Sequence, residues 1–259
     1  MITSPHNAKL KDLRRLARKG ERSARGLFAA EGEDLLAAAD AAGWTPVQRF
    51  AAAGSGLPGE EVDPEVLARA SSLGSGPRAI AVYEQRWSPP AGPPAVALWG
   101  VGDPGNVGTV IRSALAFGAR SVLLGPGCAD PFSPKAVRAS MGAIFAVPVA
   151  RAATPADLPR PAVALVARAG VAVADAVRGG PATLVVGAER DGLPAAVVAA
   201  CEQVAHIPIH SESLNAAMAA TVGLYELQRR AEGGHMAAGG AGGRDPIAAA
   251  TRSPRVQPA

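Results

Sequence analysis

At 259 residues, 48% hydrophobic and 19% charged, the chain exceeds the usual single-domain size and can bury a sizeable core, so two soluble domains are expected. Two cysteines and four scattered histidines are too few for a disulfide framework and lack metal-ligand spacing, so no metal site is expected. No apolar run reaches membrane-spanning length and Met1 to Lys19 is polar, which excludes a secretory leader or membrane partner and predicts a cytoplasmic protein with reduced Cys128 and Cys201.

The net charge of +4 is unevenly spread. Residues 1–26 carry Lys9, Lys11, Arg14, Arg15, Arg18, Lys19, Arg22 and Arg25 against only Asp12 and Glu21, an excess suited to phosphate contact. Leu10, Leu13, Leu16 and Ala17 give the segment one apolar face, which predicts a helix; a merely solvated amphipathic helix is the plainer alternative. Next come an Ala-rich helix over Leu35 to Ala42, a strand over Val47 to Ala52, a helix over Pro64 to Ser71 and a strand over Ala79 to Tyr83. These make residues 1–84 a small α/β domain. Residues 85–94 include four prolines and read as a linker stiff enough to hold two domains apart.

From 95 to about 230, strands near Val96, Val122, Phe145, Val163, Leu184 and Val204 alternate with helices. The run Ala95 to Trp99 leads into Asp103-Pro104-Gly105-Asn106 and then an apolar helical face of Val110, Ile111, Ala114, Leu115 and Phe117, which Gly118 stops. Arg112 lies on the first turns of that helix. Asp130 to Arg138 reads as a loop entering a helix, where Lys135 and Arg138 either meet a phosphate or are simply exposed charges. Leu184 to Pro194 is a strand ending in a polar, glycine-bounded turn. Ile207 to Ala219 joins a strand end to a polar loop and a small-residue helix, with Ser213 and Asn215 placed to cap free N–H groups. A last amphipathic helix covers Thr221 to Arg230. Residues 231–259, rich in Gly, Ala and Pro, read as a disordered tail.

Three strands thus end in polar loops, and loops at the carboxyl ends of parallel strands are where open α/β sheets bind ligands. Gly100-Val101-Gly102-Asp103-Pro104-Gly105 also matches the dinucleotide pattern GxGxxG. The strand that follows ends Leu123-Leu124-Gly125-Pro126 without the acidic residue a nicotinamide ribose requires, so an oxidoreductase is the weaker alternative.

In this order the three segments resemble the SpoU (TrmH) family of RNA ribose 2′-O-methyltransferases, of the knotted SPOUT class. The resemblance rests on Asn106 followed by Arg112 and Gly118; on Gly187-Ala188-Glu189-Arg190-Asp191-Gly192-Leu193 against Gly-Asn-Glu-x-x-Gly-Leu; and on Ile207, Pro208, Ser213, Leu214 and Asn215 against Ile-Pro-Met and Ser-Leu-Asn. It covers residues 95–230, with a looser likeness at the amino end. Ala188 replaces the family's Asn, Ile209 replaces its Met, and the loop from Pro208 to Asn215 is shorter than the commonest version.

The resemblance implies an α/β fold: a knotted methyltransferase domain with a parallel sheet over residues 95–230, preceded by a small ribosomal-protein-like α/β substrate-binding domain. It implies S-adenosylmethionine as cofactor, held by main-chain groups around Gly187, Gly192, Ile207, Pro208, Leu214, Asn215 and Ala217. Arg112 would act on the ribose hydroxyl with the RNA phosphate, Asn106 and Ser213 would position Arg112 or the ribose, and Glu189 would orient the loop or the substrate. Asn215 is equally readable as a pure helix cap. His210 could touch the cofactor or face solvent. Lys9, Lys11, Arg14, Arg15, Arg18, Arg25, Lys135 and Arg138 would grip RNA, ribosomal rather than transfer RNA, and the family habit is a homodimer with a shared site. A non-catalytic RNA-binding relative is the alternative that Ala188 and the shorter loop leave open.

Overall fold

The computed structural model describes residues 1–72 and 76–238. The basic amino end forms two helices, α1 (Ala8–Arg15) and α2 (Lys19–Arg25). Asn7 caps α1 by accepting from the Lys9 N–H at 2.9 Å, and Leu10, Leu13 and Leu16 turn inward onto Phe50, Val62, Leu67 and Ile80. There follow β1 (Leu27–Glu31), α3 (Glu33–Ala41), β2 (Gln48–Ala52), β3 (Glu60–Val62), α4 (Pro64–Ala70) and β4 (Ala79–Glu84). The sheet order is β1-β4-β2-β3, with β4 antiparallel to β1 and β2, and β3 parallel to β2.

The second sheet is built from β5 (Ala95–Leu98), β6 (Ser121–Leu124), β7 (Val149–Arg151), β8 (Ala162–Leu165), β9 (Val171–Ala172), β10 (Thr183–Val186) and β11 (Gln203–His206). Its helices are α5 (Pro104–Ala116), α6 (Pro134–Ala139), α7 (Val173–Ala176), α8 (Ala195–Ala199) and α9 (Ala216–Ala238). The order is β7-β6-β5-β10-β8-β11-β9, and every pairing is parallel. This is why β5, β6, β8 and β10 read as unbroken, mostly apolar runs: each is buried along its whole length, as strands covered on both faces must be. Leu98, Val186 and Leu165 stand side by side in register, so the loops after β5, β10 and β8 leave one edge of the sheet together. Helix α9 returns across that sheet, and a Cβ at Gly223 would meet Leu184 Cδ1 at 2.7 Å and Leu165 Cδ1 at 3.1 Å.

Several sequence expectations are corrected. The strand expected near Phe145 is a 3₁₀ turn, Ala143–Phe145, and the strand lies at Val149–Arg151. Gly142 at φ 89° starts the turn, which buries Ile144 and Phe145 as core plugs instead of aligning them with the sheet. Strands β1 and β3 had not been anticipated. The last helix starts at Ala216 and runs to Ala238, into the segment expected to be a disordered tail; residues 239–259 lie outside the described residues.

The proline-rich segment does not hold the two sheets apart. Phe28, Trp44 and Tyr83 share a core with Phe132 and Phe145, with ring centroids 5.0 Å apart for Phe28–Phe132 and 5.1 Å for Tyr83–Phe145. Trp44 Nε1 donates to the Phe145 carbonyl at 2.8 Å. Arg22, 3% exposed, donates to Asp130 at 2.9 and 2.6 Å and to the Leu16 and Ala17 carbonyls. Arg22 therefore clamps α2 to the larger sheet and is not part of the surface charge.

Candidate active site

The site is assembled at the carboxyl edge of the parallel sheet. Asp103 caps α5, accepting from the Gly105 and Asn106 N–H groups at 2.6 and 3.1 Å, and it pairs with Lys135 at 2.7 Å. The Lys135 hydrogen bond, with help from those two N–H groups, holds the Asp103 carboxyl below its usual range. The cap fixes Asn106 in the first turn, and its Nδ2 donates to Glu189 Oε1 at 2.8 Å. Asn215 Nδ2 donates to Asn106 Oδ1 at 3.2 Å and to Glu189 Oε1 as well. Asn215 Oδ1 meanwhile accepts from the Ala217 and Met218 N–H groups at 3.0 and 3.3 Å. Asn215 is thus both the cap of α9 and a member of the network; the two readings are compatible.

Glu189 is aimed by its loop. Ala188 and Gly192 exchange main-chain hydrogen bonds of 3.1 and 3.0 Å, Gly192 takes φ 64°, and a Cβ at Gly187 would collide with the Gly192 carbonyl and the Leu193 nitrogen. Because the hairpin is closed by backbone groups, Ala188 in place of Asn leaves it intact. Beside it opens a cleft of about 390 Å³, within the range of small-molecule sites. Gly187, Glu189, Gly192, Ile207, Ser213 and Leu214 line it. Leu193 of the 187–193 motif also lines it, as do Ala216 and Ala219, whose small side chains admit either a ligand or a neighbouring backbone; sequence reasoning missed Leu165 to Ala167 at the end of β8. The carboxyl end of a central parallel strand was the signal available for the β8 residues.

Other expected site residues lie elsewhere. Ala217 is buried in the first turn of α9, and Pro208 and His210 line a neighbouring cleft with Arg168 and His206. Arg112 is on the exposed side of α5, outside the cleft lining, and its guanidinium meets no carboxylate or carbonyl of another described residue. Of the basic residues, Lys9 pairs with Glu60 at 2.6 Å, Arg15 with Asp12 at 3.1 Å, and Arg25 with Asp12 and Glu21. Arg14 donates to the Pro5 carbonyl at 2.7 Å. Lys11, Arg18 and Arg138 are exposed and unpaired among the described residues.

Residues 93–225 match the model of the SpoU rRNA methylase family, which is half of the chain. The chain belongs to this family. Among SpoU relatives, a Streptomyces viridochromogenes protein named 23S rRNA (uridine(2479)-2′-O)-methyltransferase is 34% identical over 52% of each chain. A Bacillus subtilis protein named 23S rRNA (guanosine(2553)-2′-O)-methyltransferase RlmP is 35% identical over 49% of this chain and 55% of its own. The chain thus spans about half the length of these curated relatives. The AdoMet-bound rRNA methyltransferase from Sinorhizobium meliloti superposes with a TM-score of 0.79 at 32% identity, over 88% of this chain and 97% of that one.

The SpoU fold also disposes of the dinucleotide alternative. In a nucleotide-binding GxGxxG loop the helix N-terminus receives the pyrophosphate. Here the Asp103 carboxylate already occupies the amino end of α5. Among the described residues, no group of His, Cys, Asp and Glu is arranged to hold a metal ion, and no helix is long and apolar enough to cross a membrane.

Proposed function

We propose that this chain is an S-adenosylmethionine-dependent 2′-O-ribose methyltransferase of ribosomal RNA, of the 23S type, acting as a cytoplasmic homodimer. The observation that carries the reading is the cleft itself, walled by the Gly187–Leu193 hairpin and overlooked by the Asn106–Glu189–Asn215 network. Its chemistry fits the cofactor. Leu165, Val186, Leu193, Ile207 and Leu214 offer apolar walls for adenine, and the hairpin packed tightly at Gly187 sets main-chain groups of residues 187–192 along the cleft. Glu212 is paired with Arg168 at 3.4 Å, and Glu189 and Asp191 outnumber Arg190 around the rim, which favours a cationic sulfonium and ammonium over a pyrophosphate.

When bound, the cofactor supplies an electrophilic methyl group. The protein's task is to hold the ribose 2′-hydroxyl in line with it and to ease loss of the hydroxyl proton. Glu189, its Oε1 held by two amide donors, keeps a carboxylate at the cleft mouth to orient the ribose or the loop. Arg112, unpaired and directed outward from α5, is suited to act on an RNA phosphate and the attacking hydroxyl presented at a second protomer's cleft. Ser213 lines the same cleft and would contact the ribose.

The homodimer is supported by apolar residues left open on α5 and α9: Leu115 and Tyr225 are each 49% exposed and Met218 is 61% exposed, beside the Phe117–Tyr225 ring contact. The reading includes a knotted carboxyl end, in which residues 207–215 pass to α9 as the latter folds back over β10. The unpaired Lys11, Arg18 and Arg138, with Arg14 beside them, would grip phosphates. The test is calorimetric titration with S-adenosylmethionine and with a nicotinamide dinucleotide, alongside the solution mass. Binding of the former alone by a dimer is expected; binding of the dinucleotide alone overturns the reading.

A further inference from the structure

A second cleft, about 320 Å³, lies at the carboxyl ends of β6 and β7 where α2 and the proline-rich segment meet the larger sheet. It is lined by Lys19, Ser23, Gln85, Trp87, Asp130 and Arg151 among others. The Arg151 guanidinium lies over the Trp87 ring, 4.0 Å from its centroid, and Phe132 abuts the same ring edge-on at 5.2 Å. Trp87 is therefore packed on Phe132 and carries the Arg151 guanidinium, and Trp87 and Arg151 both line the cleft. Stacking on a guanidinium plane backed by an aromatic ring is a way in which proteins hold an unstacked nucleobase.

The remaining groups suit the rest of a nucleotide. Gln85 donates through Nε2 to the Arg22 and Leu27 carbonyls at 3.3 and 3.2 Å, which orients its Oε1 as a fixed acceptor. Asp130 is neutralised: Oδ2 is taken by Arg22 and Oδ1 accepts from the Phe132 N–H at 2.9 Å. The free charges at the rim are then Lys19 and Arg151, both exposed and unpaired by any described carboxylate. The midpoint of β7 and β6 lies three strand spacings from the midpoint of β10 and β8, so with strands about 4.8 Å apart the two clefts lie roughly 15 Å from each other along one edge, the span of two or three nucleotides of a single strand.

We propose that this cleft holds one unstacked nucleotide of the RNA strand, its base on the Arg151 guanidinium and its phosphate at Lys19, two or three nucleotides from the one presented for methylation. The inference rests on the methyltransferase reading above. Trp87 reports on the cleft, because Trp44 and Trp99 are buried and Trp87 is the half-buried indole.

The experiment is fluorescence titration of the full chain with decauridylate, decaadenylate, an abasic ribose-phosphate decamer of equal charge, and free uridine and adenosine monophosphates. Calorimetry with S-adenosylmethionine is run on the same preparation. A base-bearing decamer should quench Trp87 and bind about tenfold more tightly than the abasic one, in keeping with the value of one base stack. Arg151→Ala should lose that preference, whereas Arg18→Ala should weaken both decamers alike. Equal binding of base-bearing and abasic decamers, or a preference kept in Arg151→Ala, overturns the nucleotide site while cofactor binding leaves the methyltransferase reading standing. Quenching by a monophosphate as strong as by a decamer overturns the assignment to an RNA strand. Silence to every RNA probe with cofactor bound removes the site alone, and silence to the cofactor as well removes both.

Discussion

Glu189 is one carboxylate accepting from two asparagine side chains that arrive from distant segments, and its value lies in placement. Glu189→Ala should lower kcat for methyl transfer roughly a hundredfold, the size of effect expected when a reacting group is misplaced, with a much smaller change in cofactor affinity; radiolabel transfer and calorimetry measure the two. Asp103 acts on stability. Asp103→Ala removes the cap of α5 and should cost about 1 kcal/mol in urea unfolding near neutral pH. Its carboxyl is held below its ordinary value of 3.8, so its stabilisation is present above that pH and is lost as pH falls through the lowered value. The difference between wild type and Asp103→Ala should therefore be constant from pH 7 to about pH 5 and shrink below about pH 4.

At the scale of elements, the hairpin after β10 leaves no room for a side chain at Gly187. Gly187→Ala should displace the Gly192 carbonyl and reduce cofactor affinity at least about tenfold, read by calorimetry, with little change in the circular dichroism of the sheet. Gly223→Ala would push α9 off Leu184 and Leu165 and should cost about 1–3 kcal/mol in the same urea assay. Elements with a strong local signal were legible in the sequence: the uninterrupted apolar strands β5, β6, β8 and β10, and α5 with a proline at its start and Gly118 past its end. β1 was not. Leu27–Glu31 alternates half-buried and buried positions, but its only polar residue is at the end, and its strand character comes from pairing with β4 across a long sequence gap. Ala143–Phe145 failed for the opposite reason: its residues suit a strand, yet Gly142 and burial against Trp44 and Tyr83 curl it into a turn. At the site, Glu189, Gly187 and Asn215 could be found from their loops. The β8 wall is marked only by its place at the carboxyl end of a central parallel strand, because Leu165 to Ala167 carry no polar signature.

At the scale of the whole molecule, the two sheets share a core and the Arg22–Asp130 pair is sealed within their junction, its side chains 3% and 11% exposed. Removing one partner strands a buried charge. Asp130→Ala should cost about 3–5 kcal/mol, and wild-type unfolding followed by tryptophan fluorescence and by circular dichroism should coincide, because one core cluster is built from residues of both sheets. Separate transitions would mean that the junction is weaker than its packing implies. The shared core also sets the basic amino-terminal face and the cleft in one relation, so on the proposed function the RNA would meet a preformed surface. The most direct test of the whole account is transfer of labelled methyl from S-adenosylmethionine to ribosomal RNA from cells lacking the protein, followed by alkaline hydrolysis. A 2′-O-methyl group blocks cleavage at its own ribose, so label is expected in an alkali-resistant dinucleotide, appearing about a hundredfold more slowly with Glu189→Ala. Label released in mononucleotides would place the methyl on a base and contradict the ribose chemistry, and no transfer from a cofactor-binding protein would contradict catalysis on ribosomal RNA.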